Sequence, residues 1–169
     1  MSYQHLRVEG YMEWRNITLR LATQEDEAFL FKLRRATMDE HLHRAGVIAD
    51  DSAHWQRVKY HYHDAYIVLM GSERIGLFKR HKGANEWTII QIQILPAYQG
   101  QGIAAWLLNT FLQQADEANV PVTLSVLKGN RAITLYQRVG FKVVDSADGA
   151  VKMNRNRQDL SVEHQQQCE

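Results

Sequence analysis

The sequence predicts a single mixed α+β domain, and three observations predict it. The middle of the chain reads as hairpins: Ala65–Met70 is a continuous apolar run, Gly71-Ser72 turns it, and Arg74–Lys79 returns beside it. One strand–loop–helix unit follows, in which an apolar strand stops at Pro96, Gln99-Gly100-Gln101-Gly102 forms a glycine loop, and an amphipathic helix starts at Ile103. The chain then closes with a strand, a short helix and a second hairpin, so strands and helices alternate without becoming a purely parallel array.

Element by element, Asn16–Leu21 alternates as a strand. Thr23 with Asp26 three residues later forms a variant capping box, and Phe29, Leu30, Leu33 and Ala36 line one face of the helix it opens. Asp50-Asp51-Ser52 starts a second helix, with Trp55, Val58 and Tyr62 on its buried face. After the hairpin, Lys82-Gly83-Ala84-Asn85 turns the chain into a long strand, Glu86–Leu95. The helix after the glycine loop buries Ile103, Leu107, Leu108, Phe111, Leu112 and Ala115 and runs to about Asn119. Pro121–Val126 is a strand, and Asn130–Val139 is a short helix that Gly140 stops. Phe141–Val144 and Ala150–Met153 close the domain as a hairpin. Residues 1–13 read as a loose leader, 14–154 as the domain and 155–169 as a polar tail.

Composition narrows the function classes. A chain of 169 residues can bury a substantial core as one domain. A net charge of +1 calls for neither a nucleic-acid nor a membrane partner. No apolar run spans a bilayer, and the N-terminus lacks the order of a signal peptide. The one cysteine, Cys168, lies in the tail, where it is poorly placed as a nucleophile and has no disulfide partner, as suits a reducing cytoplasm. Nothing in the chain fixes the oligomeric state, and a homodimer stays open.

The glycine loop carries the chemistry. The first amides of a helix lack internal partners and sit at the positive end of its dipole, so a strand–glycine loop–helix unit binds phosphate. No Gly-Lys-Ser/Thr ends the loop, and the third glycine of a dinucleotide fingerprint is absent. The pattern present is Gln99-Gly100-Gln101-Gly102-Ile103-Ala104, with Pro96 and Tyr98 upstream, and it resembles the pyrophosphate loop of the GCN5-related N-acetyltransferase (GNAT) family. A second block, Arg131–Phe141, is similar to that family's late helix, whose tyrosine precedes a Gly-Phe step.

The resemblance covers roughly Trp14 to Asn154 and implies a GNAT-like sheet. Such a sheet is mostly antiparallel, splayed between its fourth and fifth strands, with helices on both faces. It implies acetyl-CoA as acyl donor and transfer of acetyl to a primary amine by direct attack in a ternary complex, with no metal. It places the pantetheine arm along Ile92, Gln93 and Ile94, the Ile94 amide toward the thioester oxygen, and the diphosphate on the amides of Gly100, Gln101, Gly102, Ile103, Ala104 and Ala105. Tyr136 becomes the general acid, since a phenol keeps its proton at neutral pH.

Two departures from the family pattern stand out. The long-strand position where several members carry glutamate holds Thr88, which cannot act as a base. Glu86, two residues earlier on the same face of a regular strand, is the candidate base through a water molecule, or else a solvated strand start. The family's late asparagine falls on Gly129, leaving Asn130 to cap the helix and contact the cofactor. Gln91 and Gln93 are polar entries in a central strand that read substrate or bond within the sheet. The histidines between 41 and 63 match no metal-binding spacing and read as scattered surface residues, or as part of a pocket for a cationic amine together with nearby acids. A small-molecule amine is the expected acceptor. A protein or peptide amine, or a catalytically silent acyl-CoA-binding module, is the alternative.

Overall fold

The computed structural model describes residues 16–156. The leader, most of the tail and Cys168 therefore lie outside the described residues. Seven strands form one sheet in the order β1-β2-β3-β4-β5-β7-β6. These are β1 (Ile17–Leu21), β2 (Ala65–Met70), β3 (Glu73–Lys82), β4 (Trp87–Ile94), β5 (Val122–Leu127), β6 (Lys142–Ala147) and β7 (Ala150–Arg155). The helices are α1 (Glu27–Arg44), α2 (Asp51–Lys59), α3 (Ile103–Glu117) and α4 (Ala132–Arg138). The order of strands and helices is the one the sequence predicts.

Among the described residues, only β4 and β5 pair in parallel, because α3 carries the chain over the sheet between them. The closing hairpin inserts β7 beside β5 and leaves β6 at the edge. Two apolar clusters fill the two faces. One gathers Phe78, Trp87, Ile89 and Phe111 under α3, together with Tyr136 and Phe141. The other packs Leu30, Leu33 and Val58 of α1 and α2 on Ile67 and Leu77.

The start of α1 is fixed by charge. Asp26 is almost fully buried; its carboxylate accepts from the Thr23 N–H at 2.8 Å, from Arg20 at 2.8 and 3.0 Å, and from Arg74 at 3.2 Å. These bonds tie the helix entry to β1 and β3. The hydrogen bonds from Arg20 above all hold the Asp26 carboxyl well below the usual carboxylate range, against the opposing effect of burial. The buried face of α1 differs from the expected one. Ala36 is exposed, and Arg34 takes a buried slot one turn after Leu30. In α2 the buried residues are His54 and Val58, and Tyr62 lies beyond the helix end. Lys79 of β3 is fully buried and donates to the carbonyls of Arg57 (3.3 Å), Val58 (3.1 Å) and Tyr60 (2.5 Å), closing the C-terminus of α2. Burial lowers its ammonium to about 8.

Candidate active site

The site forms where β4 parts from β5 while staying paired with β3. On one side, β4 pairs with β5 only over Trp87–Ile89, opposite Val122–Leu124. On the other, Ile89 and Gln91 face Arg80 and Lys79 of β3, so Ile90 is the extra residue of a β-bulge. From Ile90 onward the β5-facing edge of β4 is therefore open.

Directions along that edge follow from the ladder. The Leu95 N–H donates to the Ile75 carbonyl on β3 at 2.8 Å. Adjacent residues of a strand turn their N–H and C=O groups to opposite sides, so Gln93 also faces β3 while Ile92 and Ile94 face the gap. The Gln99 side chain confirms this, because its amide reaches around to the Ile94 carbonyl at 2.8 Å. That bond also anchors the glycine loop to the end of β4.

The loop itself has the geometry of an anion cradle. Gly100 and Gly102 have φ of 72° and 82°, values that a side chain disfavours. Gly102 caps α3, and the first turn of α3 contains no acidic residue. Among the described residues, none of the backbone N–H groups from Gly100 to Ala105 has a hydrogen-bond acceptor; the first amide satisfied there is that of Trp106, bonded to the Gly102 carbonyl at 3.0 Å. Six free donors at a helix start fit a diphosphate. With the open Ile92–Ile94 edge beside them, the residues present suit coenzyme A.

The gap opens into a cavity of about 380 Å³ bounded by β4, β5, α1 and α2. Ile92, Gln93, Asn130 and Tyr136 line it, whereas Ile94 and residues 99–105 do not. Tyr136 is almost fully buried, edge-on to Phe141 at 5.9 Å between ring centres. Burial pushes its hydroxyl up to about 12, so it keeps its proton at neutral pH. Asn130 sits just before α4, two residues ahead of its first helical residue. Its Oδ1 accepts from the Ala132 N–H at 2.9 Å at the start of α4, and the residue borders the cavity. Gln91 turns toward the cavity, where its Oε1 is buried without a partner among the described residues.

Glu86 stands elsewhere. β4 begins at Trp87, so Glu86 belongs to the preceding turn and the alternation that aligned it with Thr88 does not reach it. It is exposed, accepts from the Thr123 hydroxyl at 3.0 Å, and is not among the residues lining the cavity. Among the described residues, no carboxylate lines that cavity.

Among the described residues, no histidine lines the main cavity, and three of them cluster away from it. His61, His63 and His81 gather around Asp64, with nitrogen–oxygen distances of 3.0, 3.2 and 3.2 Å. Burial pushes the Asp64 carboxyl up, but hydrogen bonds from His61 and His81 outweigh it and leave it below the usual range. His54 is buried 3.1 Å from Asp39; both line a separate cavity of about 220 Å³ with His43. The residues the sequence reading passed over are Arg34 and Arg57, which line the main cavity. The available signal was an arginine at the i+4 position from Leu30, inside the apolar stripe of α1.

Residues 61–143 match the family model of the acetyltransferase (GNAT) domain. That segment, just under half of the chain, is similar to the GNAT acetyltransferases. A stretch of 62 residues is 40% identical to the [ribosomal protein bS18]-alanine N-acetyltransferase of Haemophilus influenzae, covering 36% of this chain and 42% of that relative's length. Solved GNAT-type structures superpose over most of the domain. PaiA N-acetyltransferase from Thermoplasma acidophilum, in complex with coenzyme A, has a TM-score of 0.63 at 18% identity, over 83% of this chain and 98% of that one. An acetyltransferase from Thermus thermophilus gives 0.67 at 19% identity, over 83% and 97%. The ribosomal-protein-S18-alanine N-acetyltransferase of Escherichia coli gives 0.61 at 17% identity, over 83% and 93%. No helix among the described residues is long and apolar enough to cross a membrane.

Proposed function

We propose that the protein is an acetyl-CoA-dependent N-acetyltransferase acting on the primary amine of a small molecule. The observation that carries this reading is the set of free amides from Gly100 to Ala105 beside the open edge of β4. Bound there, acetyl-CoA supplies the acetyl group and the departing thiol.

The residues divide the remaining work. The amides of Gly100–Ala105 hold the diphosphate, and the edge of Ile92, Gln93 and Ile94 pairs with the pantetheine arm. The Ile94 N–H faces the gap and donates to the thioester oxygen, where negative charge grows during attack. The amine nitrogen bonds to the acetyl carbon, the carbon–sulfur bond breaks, and the Tyr136 hydroxyl gives its proton to the sulfur. The same burial that weakens the phenol as an acid also raises a thiol held beside it, so the two stay matched. Glu86 lies outside the cavity, so solvent takes the amine's proton.

A cavity of about 380 Å³ that must also admit the end of the pantetheine arm favours a small acceptor. The 62-residue likeness to an enzyme named for a ribosomal-protein alanine supports a second reading, acetylation of a peptide α-amine. The deciding experiment measures acetyl-CoA binding by calorimetry and free-thiol release across an amine and peptide library. Binding with thiol release identifies the enzyme and its acceptor class. Binding without release from any amine leaves an acyl-CoA-binding module instead.

A further inference from the structure

Two arginines in the cavity have no role in acetyl transfer as described above. Arg34 of α1 is 9% exposed, and its Nε is buried without a hydrogen-bond partner among the described residues. Its helix face is otherwise filled by Leu30 and Leu33, both fully buried. A buried guanidinium nitrogen without a partner costs the fold stability, so its place needs another explanation. Arg57 of α2 reaches the same cavity. Its guanidinium lies 4.8 Å from the centre of the Tyr60 ring, and its Nη2 is 3.4 Å from the carbonyl of Ile90, the bulged residue of β4.

Among the described residues, no negative charge in the cavity answers them. Asp39, the carboxylate whose field reaches Arg34, accepts from Arg35 through Oδ2 at 3.2 Å, while its Oδ1 lies buried 3.1 Å from His54 without a hydrogen bond; it lines the other cavity. Burial first, and then the charge of Arg57, lowers Arg34 to about 10, which leaves its guanidinium charged at neutral pH; burial lowers Arg57 as well. Lys79, its ammonium held by the end of α2, adds a third cation behind them. Nor does the diphosphate reach this wall. Ile90 lies four residues before the end of β4, about 13 Å of strand, and the glycine loop lies further along still.

We propose that Arg34 and Arg57 form an anion subsite for the acceptor, which is an amine that carries a carboxylate or phosphate group. This assignment rests on the acetyltransferase reading above. Planar guanidiniums with fixed orientation recognise such groups through paired charge-assisted hydrogen bonds. The same wall repels polyamines and disfavours the protonated form of a nearby amine, which aids attack in a cavity without a carboxylate base.

The test compares thiol release for matched amines with the full-length protein: β-alanine against β-alaninamide, phosphoethanolamine against ethanolamine, and spermidine. A free-amino-terminal peptide followed by glutamates, against one followed by lysines, separates a peptide source of the anion from a free metabolite. The expected result is a preference of at least about tenfold in kcat/KM for the anionic member of one or more pairs, expressed mainly in KM. Arg57→Gln should shrink that ratio at least about fivefold, and so should Arg34→Met, with partial recovery in Arg34→Lys. Arg57 is only half-buried, so Arg57→Gln carries the test if Arg34→Met does not fold. A preference for spermidine or the neutral amines, or a ratio untouched by Arg57→Gln, overturns the subsite while leaving acetyl transfer standing. Absence of both acetyl-CoA binding heat and thiol release overturns the acetyltransferase reading, and this inference with it.

Discussion

Gly76 has no part in chemistry, yet its replacement tests the geometry on which the site depends. It lies on β3 opposite Ile94 of β4. A Cβ built there would stand 2.4 Å from the Gln93 carbonyl oxygen and 2.8 Å from Ile94 Cδ1. A carbon–oxygen contact needs about 3.3 Å, so Gly76→Ala must drive β4 away by nearly 1 Å or twist it. The side chain of Ile94 can yield, but the backbone oxygen of Gln93 cannot move without moving the strand. Overpacking of this kind costs about 1–3 kcal/mol, which for a chain of this size lowers Tm by about 2–12 °C. The displaced segment is the edge assigned to pantetheine, so acetyl-CoA should bind about fivefold more weakly for each hydrogen bond lost. Thermal denaturation followed by circular dichroism, together with calorimetry, reads both effects. A Tm within about 1 °C of the parent, with unaltered affinity, would refute the claim that β3 sets the position of that edge.

Four further outcomes follow from the same structure. Tyr136→Phe should lower kcat by about a hundredfold or more while acetyl-CoA affinity changes little, because a proton donor acts mainly in the transition state; equal turnover would remove the role. Gly102→Glu combines a side chain at φ 82° with a carboxylate among the diphosphate amides, and calorimetry should show no cofactor binding. Glu86→Gln should leave kcat/KM within about twofold of the parent, since that carboxylate faces solvent and Thr123; a large loss in the rate assay would restore it as the base. The last concerns Asp26, whose folded carboxyl is held below its unfolded value. Its contribution to stability is present above about pH 4 and is lost as pH falls toward the folded value. Acid melts of the parent should therefore decline more steeply than those of Asp26→Asn, and parallel curves would contradict the ion-pair assignment.

Local pattern fixed much of this protein. The hairpins, the amphipathic α3 and the glycine loop were legible because each is specified by neighbours within a few residues: a turn, a period, a pair of glycines at positive φ. Tyr136 and Asn130 came from a short motif for the same reason. Tertiary packing decided the rest. Whether Glu86 shares a face with Thr88 depends on where β4 starts, and that is set by its pairing with β3 and β5. Three histidines meet Asp64 because His81 comes from β3 and the other two from the turn before β2. Arg34 and Arg57 lie 23 positions apart in the sequence and reach one cavity only because α1 and α2 pack side by side over the bulge at Ile90. A helical period tells which residues are apolar enough to be buried. It does not tell which charges a fold will bury beside them, since that depends on what lies across the cavity.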